Sequence, residues 1–243
     1  MRVIRLYYPD TLACGESVQL DSQASNHLVR VLRSKTGRTV TLFNGDGFNY
    51  AARIDDADPR KTTVLIQEKT PAGNESPLDL TLVQGLSRHD RMDTTIQKSV
   101  ELGVNRIIPL LCQRSNTRLS GDRLVKKQQH WQKVAISACE QSGRSVIPEV
   151  LPAVQLQELA PLLEADAERF TLLPQAQQSL KDTTVRPKLV ELVIGPEGGL
   201  DEEEIQYLCN NAFSGLRFGP RILRTETAGP AVISAMQLLW GDF

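Results

Sequence analysis

Apolar positions along this chain follow two rhythms. Through residue 70 they come in short runs rich in β-branched and aromatic side chains, at 3–7, 39–43, 48–54 and 62–67. That is the pattern of short strands. Asn44-Gly45-Asp46-Gly47, between two of the runs, is hairpin-turn chemistry. One segment, DSQASNHLVRVLR (21–33), has helical spacing, with Asp21 or Ser22 as its cap. Short strands so spaced predict a small β-barrel over residues 1–70. TPAGNESP (70–77) is turn-rich, so a linker over 71–77 is expected.

From residue 78 to 243 strands alternate with helices. LTLVQGL (80–86) precedes a helix, DRMDTTIQKSVELG, that ends with Gly103 as its C-terminal cap. Strand IIPLL, a long helix over about 122–141 and a short segment near Val150 follow. VQLQELAPLLEA (154–165) reads as a helix. After it come strands FTLLP and KLVELVIG, helix DEEEIQYLCNNA, strand LRFG, and a last helix through Trp240. The alternation predicts an α/β domain with a parallel sheet covered on both faces. The last helix is apolar almost all round, which predicts burial on more than one side.

In such a sheet ligands bind beyond the carboxyl ends of the strands. Three strands end there in turns: Leu173-Pro174, Gly195-Pro196-Glu197-Gly198-Gly199 and Phe218-Gly219-Pro220. Gly198 and Gly199 allow close backbone approach and positive φ, yet the pattern is neither of the glycine-rich phosphate motifs. Asp201 and Glu202–Glu204 crowd the next helix start, where Asp201 with Glu204 forms a capping box. Those acids would repel a pyrophosphate, so a neutral or cationic adenosine ligand fits better, and S-adenosylmethionine has that character. In the third turn Arg221 and Arg224 suit phosphate or a developing oxyanion, and Glu226 suits proton acceptance; an ordinary ion pair of Glu226 with an arginine is the competing reading. Thr225 or Thr227 is the expected cap of the last helix, with Pro230 in its first turn.

Net charge is −1, but it is uneven. Residues 84–146 hold eleven Lys/Arg against five Asp/Glu, a local +6, and residues 147–243 hold seven against fourteen, a local −7. The basic part suggests an anionic partner. Cys14, Cys112, Cys139 and Cys209 form no CxxC pair and the three histidines lack metal-ligand spacing, so no metal is expected. No run approaches a membrane span and the first residues lack a signal-peptide core, so a cytoplasmic protein with no membrane partner is expected.

GPEGGL (195–200) and FGPRILRTETA (218–228), with HLVRVLR (27–33), QKSVELGV (97–104), ACEQSGR (138–144) and LLP (172–174), resemble the bacterial 16S rRNA (uracil-N3) methyltransferase family of the SPOUT class. The likeness spans essentially the whole chain. It implies an N-terminal PUA-like RNA-binding β-barrel, a C-terminal SPOUT domain with a trefoil knot, a homodimer, and S-adenosylmethionine as cofactor. The implied substrate is a uridine in the decoding region of 16S rRNA within the 30S subunit. Carried over by position, the cofactor would meet Leu172, Leu173, Pro174, Ile194, Gly195, Pro196, Glu197, Gly198, Gly199, Phe218, Gly219, Pro220, Ile222, Leu223 and Thr225. Two departures stand out: Leu173 replaces a histidine found in some relatives, and Gly229-Pro230 follows the ETA motif.

Uracil N3 carries a proton at neutral pH, and losing it leaves negative charge on the ring, so a base and a cation are both useful. Glu226 is the candidate base, and Arg221 or Arg224 the cation. Arg2, Arg5, Arg30, Arg33, Arg88, Arg91, Lys98, Arg114 and Arg144 are the candidate RNA contacts, giving position and salt sensitivity rather than sequence choice. His27, Glu101 and Gln141 receive packing or hydrogen-bonding roles. A non-catalytic RNA-binding module, a SPOUT enzyme acting on another RNA or base, and, more weakly, a nicotinamide oxidoreductase are the alternatives.

Overall fold

The structure, a computed structural model, describes residues 3–88, 90–115 and 120–243. The expected RNA contact Arg2 lies outside them. The chain divides into two compact units, one running up to Glu75 and including Cys139–Ile147, the other Ser76–Ala138 with Pro148–Phe243.

The first unit holds β1 (Arg5–Tyr7), β2 (Ser17–Gln19), α1 (Ser22–Asn26), β3 (Thr39–Phe43), β4 (Phe48–Asp56) and β5 (Thr63–Pro71). They form one sheet in the order β1-β3-β4-β5-β2, parallel at β1–β3 and antiparallel elsewhere. The β3–β4 turn is the expected one: Gly45 and Gly47 take φ of 98° and 83°, and Asn44 and Asp46 side chains accept from the backbone two residues on. Alternate residues such as Val40, Leu42, Ile54, Val64 and Ile66 fill the core. Asp21 caps α1 by accepting from Ala24 N at 2.7 Å. The single helix expected through Arg33 does not form; a π-helical turn, His27–Val31, follows Asn26, and Arg33 ends it at φ 51°. Two β-branched valines, Val29 and Val31, weaken regular helix there, and the turn keeps Leu28 buried while Arg30 and Arg33 are exposed.

Residues 139–147 belong to this unit through polar contacts. The Arg144 guanidinium, 4% exposed, pairs with Glu75 at 2.6 Å, Tyr7 N donates to Glu140 Oε1 at 3.0 Å, and Arg5 donates to Asn49 Oδ1 and Ser145 Oγ at 2.7 and 2.9 Å. Arg5 also lies 5.0 Å from the Phe43 ring centre. Arg5 and Arg144 were expected to touch RNA; the structure buries Arg144 and half-buries Arg5, with guanidinium donors of both engaged by side chains of this unit.

The second unit runs β6 (Asp79–Gly85), α2 (Asp90–Glu101), β7 (Arg106–Leu111), α3 (Asp122–Ser142, whose last turn is in the first unit), β8 (Glu149–Val150), β9 (Val154–Gln155), β10 (Glu168–Leu172), β11 (Leu189–Ile194), α4 (Glu202–Asn210), β12 (Ser214–Leu216) and α5 (Thr225–Trp240). All strand pairs are parallel, in the order β12-β10-β11-β6-β7-β8, with β9 beside β7. The predicted helix 154–165 is instead β9 followed by 3₁₀ turns at Leu156–Glu158 and Ala160–Leu162. Pro161 has no N–H to continue an α-helix there. Gly103 closes α2 as expected: its φ is 92°, its N–H reaches Val100 O, and Val104 N reaches Ser99 O, a Schellman closure.

The α4-side face of the sheet carries Val83, Ile108, Leu110 and Val193 into a core with Leu208 and Phe213. Two residues earlier on the same face, Arg169, Glu191, Thr81 and Arg106 stand in one register row across four strands. Glu191 is fully buried there, accepting from Arg169 Nε at 2.9 Å and from Glu164 N at 2.7 Å. This polar row lies near the amino ends of the strands, leaving their carboxyl ends to the loops described next.

Candidate functional site

Three loops leave the carboxyl ends of neighbouring strands. After β10, Leu173 N donates to Leu216 O at 3.0 Å, seating Leu173-Pro174 against the end of β12. After β11, Gly199 N donates to Pro196 O at 2.9 Å, closing a tight turn with Gly199 at φ 71°. The two glycines of this turn have different reasons. Gly199 needs the left-handed backbone, whereas a Cβ on Gly198 would lie 2.8 Å from both Cβ and O of Arg114. Gly85, ending β6, is tighter still: a Cβ there would lie 2.6 Å from Pro196 N.

The loop passes into α4 through the expected capping box. Asp201 Oδ1 accepts from Glu204 N and Glu204 Oε2 from Asp201 N, each at 2.8 Å. Glu204 Oε1 also accepts from Gln113 N at 2.8 Å. Acidic side chains thus satisfy this helix start, and it is a poor place for phosphate.

The third loop runs from Leu216 to α5, with Gly219 at φ 75°. The expected Thr225 or Thr227 cap is replaced by Arg224, whose side chain makes no capping bond. The Thr225 hydroxyl is engaged elsewhere: it donates to Gly195 O at 2.9 Å and accepts from Gln84 Nε2 at 2.9 Å. With Thr225 as the first helical residue, Pro230 is the sixth, in the second turn rather than the first. Its nitrogen therefore has no hydrogen for the Glu226 carbonyl.

Together these loops line a cavity of about 1080 Å3. Every position assigned above to the cofactor lines it, as do Arg221, Arg224 and Glu226. Arg91 and Arg114, expected as RNA contacts, line it as well, and so does Arg217, which the sequence reading passed over although it directly precedes FGPR. Gln84 was also missed; the signal was a polar side chain inside the apolar strand LTLVQGL, where burial demands a partner.

The electrostatics centre on Arg91. Its NH1 lies 3.1 Å from Glu197 Oε1 and its Nε 3.8 Å from Glu226 Oε1; Arg224 NH1 lies 4.0 Å from the same Glu226 oxygen. Glu197 Oε1 also accepts from Arg88 N at 3.0 Å. Burial raises the Glu197 carboxyl, but the Arg88 N–H and the Arg91 guanidinium outweigh it and hold the group below the ordinary glutamate value. The second oxygens of Glu197 and Glu226 are buried and have no hydrogen-bond partner among the described residues. Arg221, which lines the same cavity, is exposed, with no ion-pair partner among the described residues. Of the remaining candidate RNA contacts, Arg30, Arg33, Arg88 and Arg114 are exposed, while Lys98 pairs with Glu101 at 2.9 Å.

A family model described as an RNA methyltransferase domain matches residues 74–237, and one described as an RNA methyltransferase PUA domain matches residues 20–67. Ribosomal RNA small subunit methyltransferase E of Buchnera aphidicola from Acyrthosiphon pisum is 31% identical over 100% of this chain and 96% of its own. The chain belongs to the ribosomal RNA small subunit methyltransferase E family. The Bacillus subtilis member of that family is 30% identical over 89% of this chain and 90% of its own. The ribosomal RNA small subunit methyltransferase E of Neisseria gonorrhoeae, solved bound to S-adenosyl methionine, is 39% identical, with a TM-score of 0.95 over 100% of both chains.

Proposed function

We propose that this protein transfers the methyl group of S-adenosylmethionine to N3 of one uridine in the decoding region of 16S rRNA, acting on the 30S subunit. The observation that carries the reading is the cavity itself: the glycine-bearing loop after β11 and the arginine-bearing loop before α5 meet around a space of about 1080 Å3, with Glu226 on its wall. That size accommodates a nucleoside cofactor together with an extruded base. The acid-capped start of α4 suits a ligand without phosphate. Bound there, S-adenosylmethionine supplies an electrophilic methyl group on a sulfonium.

The chain's own residues then divide the work. The loops at Leu172–Pro174, 194–199 and 218–225 hold the cofactor. Glu226, on the cavity wall, accepts the N3 proton. Arg221, exposed on the same cavity wall, and Arg224 stabilise the anionic ring or an adjacent phosphate. Arg30, Arg33, Arg88 and Arg114 supply backbone contacts to RNA, which position the substrate without reading it. The choice of N3 and of the decoding region is supported by the motif resemblance rather than by any distance.

The same reading includes a PUA-like β-barrel over residues 1–70, a linker at 71–77, and a knotted SPOUT domain over 78–243. It also includes a cytoplasmic homodimer in which the exposed Leu238, Leu239 and Phe243 at the end of α5 are covered. The test is methyl transfer from labelled S-adenosylmethionine to 30S particles lacking the endogenous uridine methylation, beside free 16S rRNA and normally modified particles. Label in the deficient particles alone, mapped to N3 of one decoding-region uridine, is expected. Cofactor binding without label would move the substrate to another RNA. Neither binding nor label from folded protein would overturn the enzymatic reading.

A further inference from the structure

Arg91 sits between two carboxylates from different loops, and its distances to them are unequal. The shorter contact, 3.1 Å, goes to Glu197 in the loop after β11, and the longer, 3.8 Å, to Glu226 in the first turn of α5. Arg91 lies at the start of α2, whose Met92, Ile96 and Val100 are buried, and its carbonyl accepts from Thr95 Oγ1 at 2.9 Å. Its backbone is therefore fixed by the core. The other cation near Glu226, Arg224, is 78% exposed at its side chain and reaches only 4.0 Å.

We propose that Arg91 is a positioning residue, which, anchored by Glu197, places its positive charge against the Glu226 carboxylate and holds that carboxylate in place on the cavity wall. The proposal rests on Glu226 being the base. Three features carry it. Arg91 meets each carboxylate through one oxygen, at 3.1 Å for Glu197 and 3.8 Å for Glu226, so it bridges the two rather than forming a parallel two-bond pair with either. An arginine remains charged throughout the working pH range and has no proton to give up, so it stabilises the carboxylate without quenching it as a base. Commitment to two carboxylates also makes Arg91 a poorer phosphate ligand than Arg114 or Arg221. The charged groups bearing on Glu226 are Arg91 from α2, Arg224 from its own helix start, and Glu197 through Arg91; Arg114, Arg217 and Arg221 share the cavity wall.

The two neighbours of Glu226 should then act in opposite directions. Removing Arg91 removes a cation from beside the Glu226 carboxylate. Removing the Glu197 charge removes an anion and leaves Arg91 to Glu226 alone. The experiment measures kcat against pH at saturating cofactor and 30S particles for wild type, R91M, R91K, E197Q and E226Q, with calorimetric S-adenosylmethionine affinities alongside. Expected is a kcat loss of about tenfold or more at neutral pH in R91M, with its acidic limb displaced to higher pH and the deficit shrinking as pH rises. R91K restores most of the limb, and E197Q displaces it to lower pH. Coincident limbs for wild type, R91M and E197Q overturn the proposal, as does a loss in R91M confined to the KM for 30S particles, which makes Arg91 a phosphate contact. Should R91M fail to fold, R91K and E197Q still carry the sign test. E226Q with wild-type turnover across the pH range removes the base assignment itself, a separate result from any Arg91 variant.

Discussion

The Thr225 hydroxyl, hydrogen-bonded to the Gly195 carbonyl at 2.9 Å and to Gln84 Nε2 at the same distance, ties the first turn of α5 to the loop after β11 and the end of β6. One buried side chain thereby sets the spacing of two walls of the cavity. Thr225→Val keeps the shape and removes both bonds, leaving a buried carbonyl short of a donor. We expect a stability loss of about 1–3 kcal/mol and an S-adenosylmethionine affinity lowered severalfold, with Thr225→Ser close to wild type. Thermal denaturation and calorimetry check this. Unchanged affinity in T225V would mean that the loops are held by other contacts.

The glycines of the site predict opposite outcomes for the same substitution. Gly198→Ala sets a methyl group 2.8 Å from backbone and side-chain atoms of Arg114, so the turn must move. Cofactor affinity should fall more than about tenfold, as expected when backbone position governs fit. Gly229→Ala meets Gln84 Oε1 at 3.7 Å and Ile194 and Thr95 carbons at 3.8 Å, ordinary contacts, at an ordinary helical φ. There the better helix propensity decides, and a gain of about 1 kcal/mol is expected, a Tm rise of about 2–4 °C. Calorimetric S-adenosylmethionine affinity for Gly198→Ala and a melting curve for Gly229→Ala decide the two.

Much of this was legible in the sequence because each feature had a local cause. The Asn44–Gly47 turn, the Asp21 and Asp201 caps and the Gly103 closure are set by side chains within a few residues of the backbone they satisfy. The cavity wall was legible for another reason: strands that alternate with helices must run parallel, which brings their carboxyl-end turns to one edge. What escaped depends on distant partners. Nothing near Arg5 or Arg144 announces Asn49, Ser145 or Glu75, so these contacts were invisible and both read as RNA contacts. Thr225 looked like a cap because threonine caps helices, but a carbonyl thirty residues away took its hydroxyl. The ion pair weighed as a competing reading for Glu226 is present, though with Arg91 of α2 closer than any arginine of its own loop.

Glu191 has a structural rather than catalytic part. It is fully buried between Arg169 and Arg106, 2.9 and 3.6 Å away, on the row that crosses four strands. Truncation to Ala removes the buried partner of two arginines that are themselves 16% and 22% exposed and keep other acceptors, and should cost about 3 kcal/mol, the low end for a broken buried pair. Glu191→Gln keeps acceptor geometry on one side and should cost less. Denaturant midpoints check the ranking, and an E191A protein as stable as wild type would show that water reaches this row.

Glu197 gives the pH dependence a sign. Its folded-state value is depressed, because the Arg88 N–H and the Arg91 guanidinium outweigh the burial that opposes them. A depressed acid contributes stability above its unfolded value, about 4.3, and loses that contribution as pH falls through the lower folded value. Wild type should therefore lose stability on acidification across that window more steeply than E197Q, and the two curves should run parallel between pH 6 and 8. Urea midpoints from pH 3 to 8 test this. Equal acid slopes in the two proteins would mean that the Arg91 contact does not outlast protonation elsewhere in the fold, and acid sensitivity would then have to be traced to other paired carboxylates such as Asp46, which Tyr50 and Lys69 also hold below its ordinary value against the opposing effect of burial.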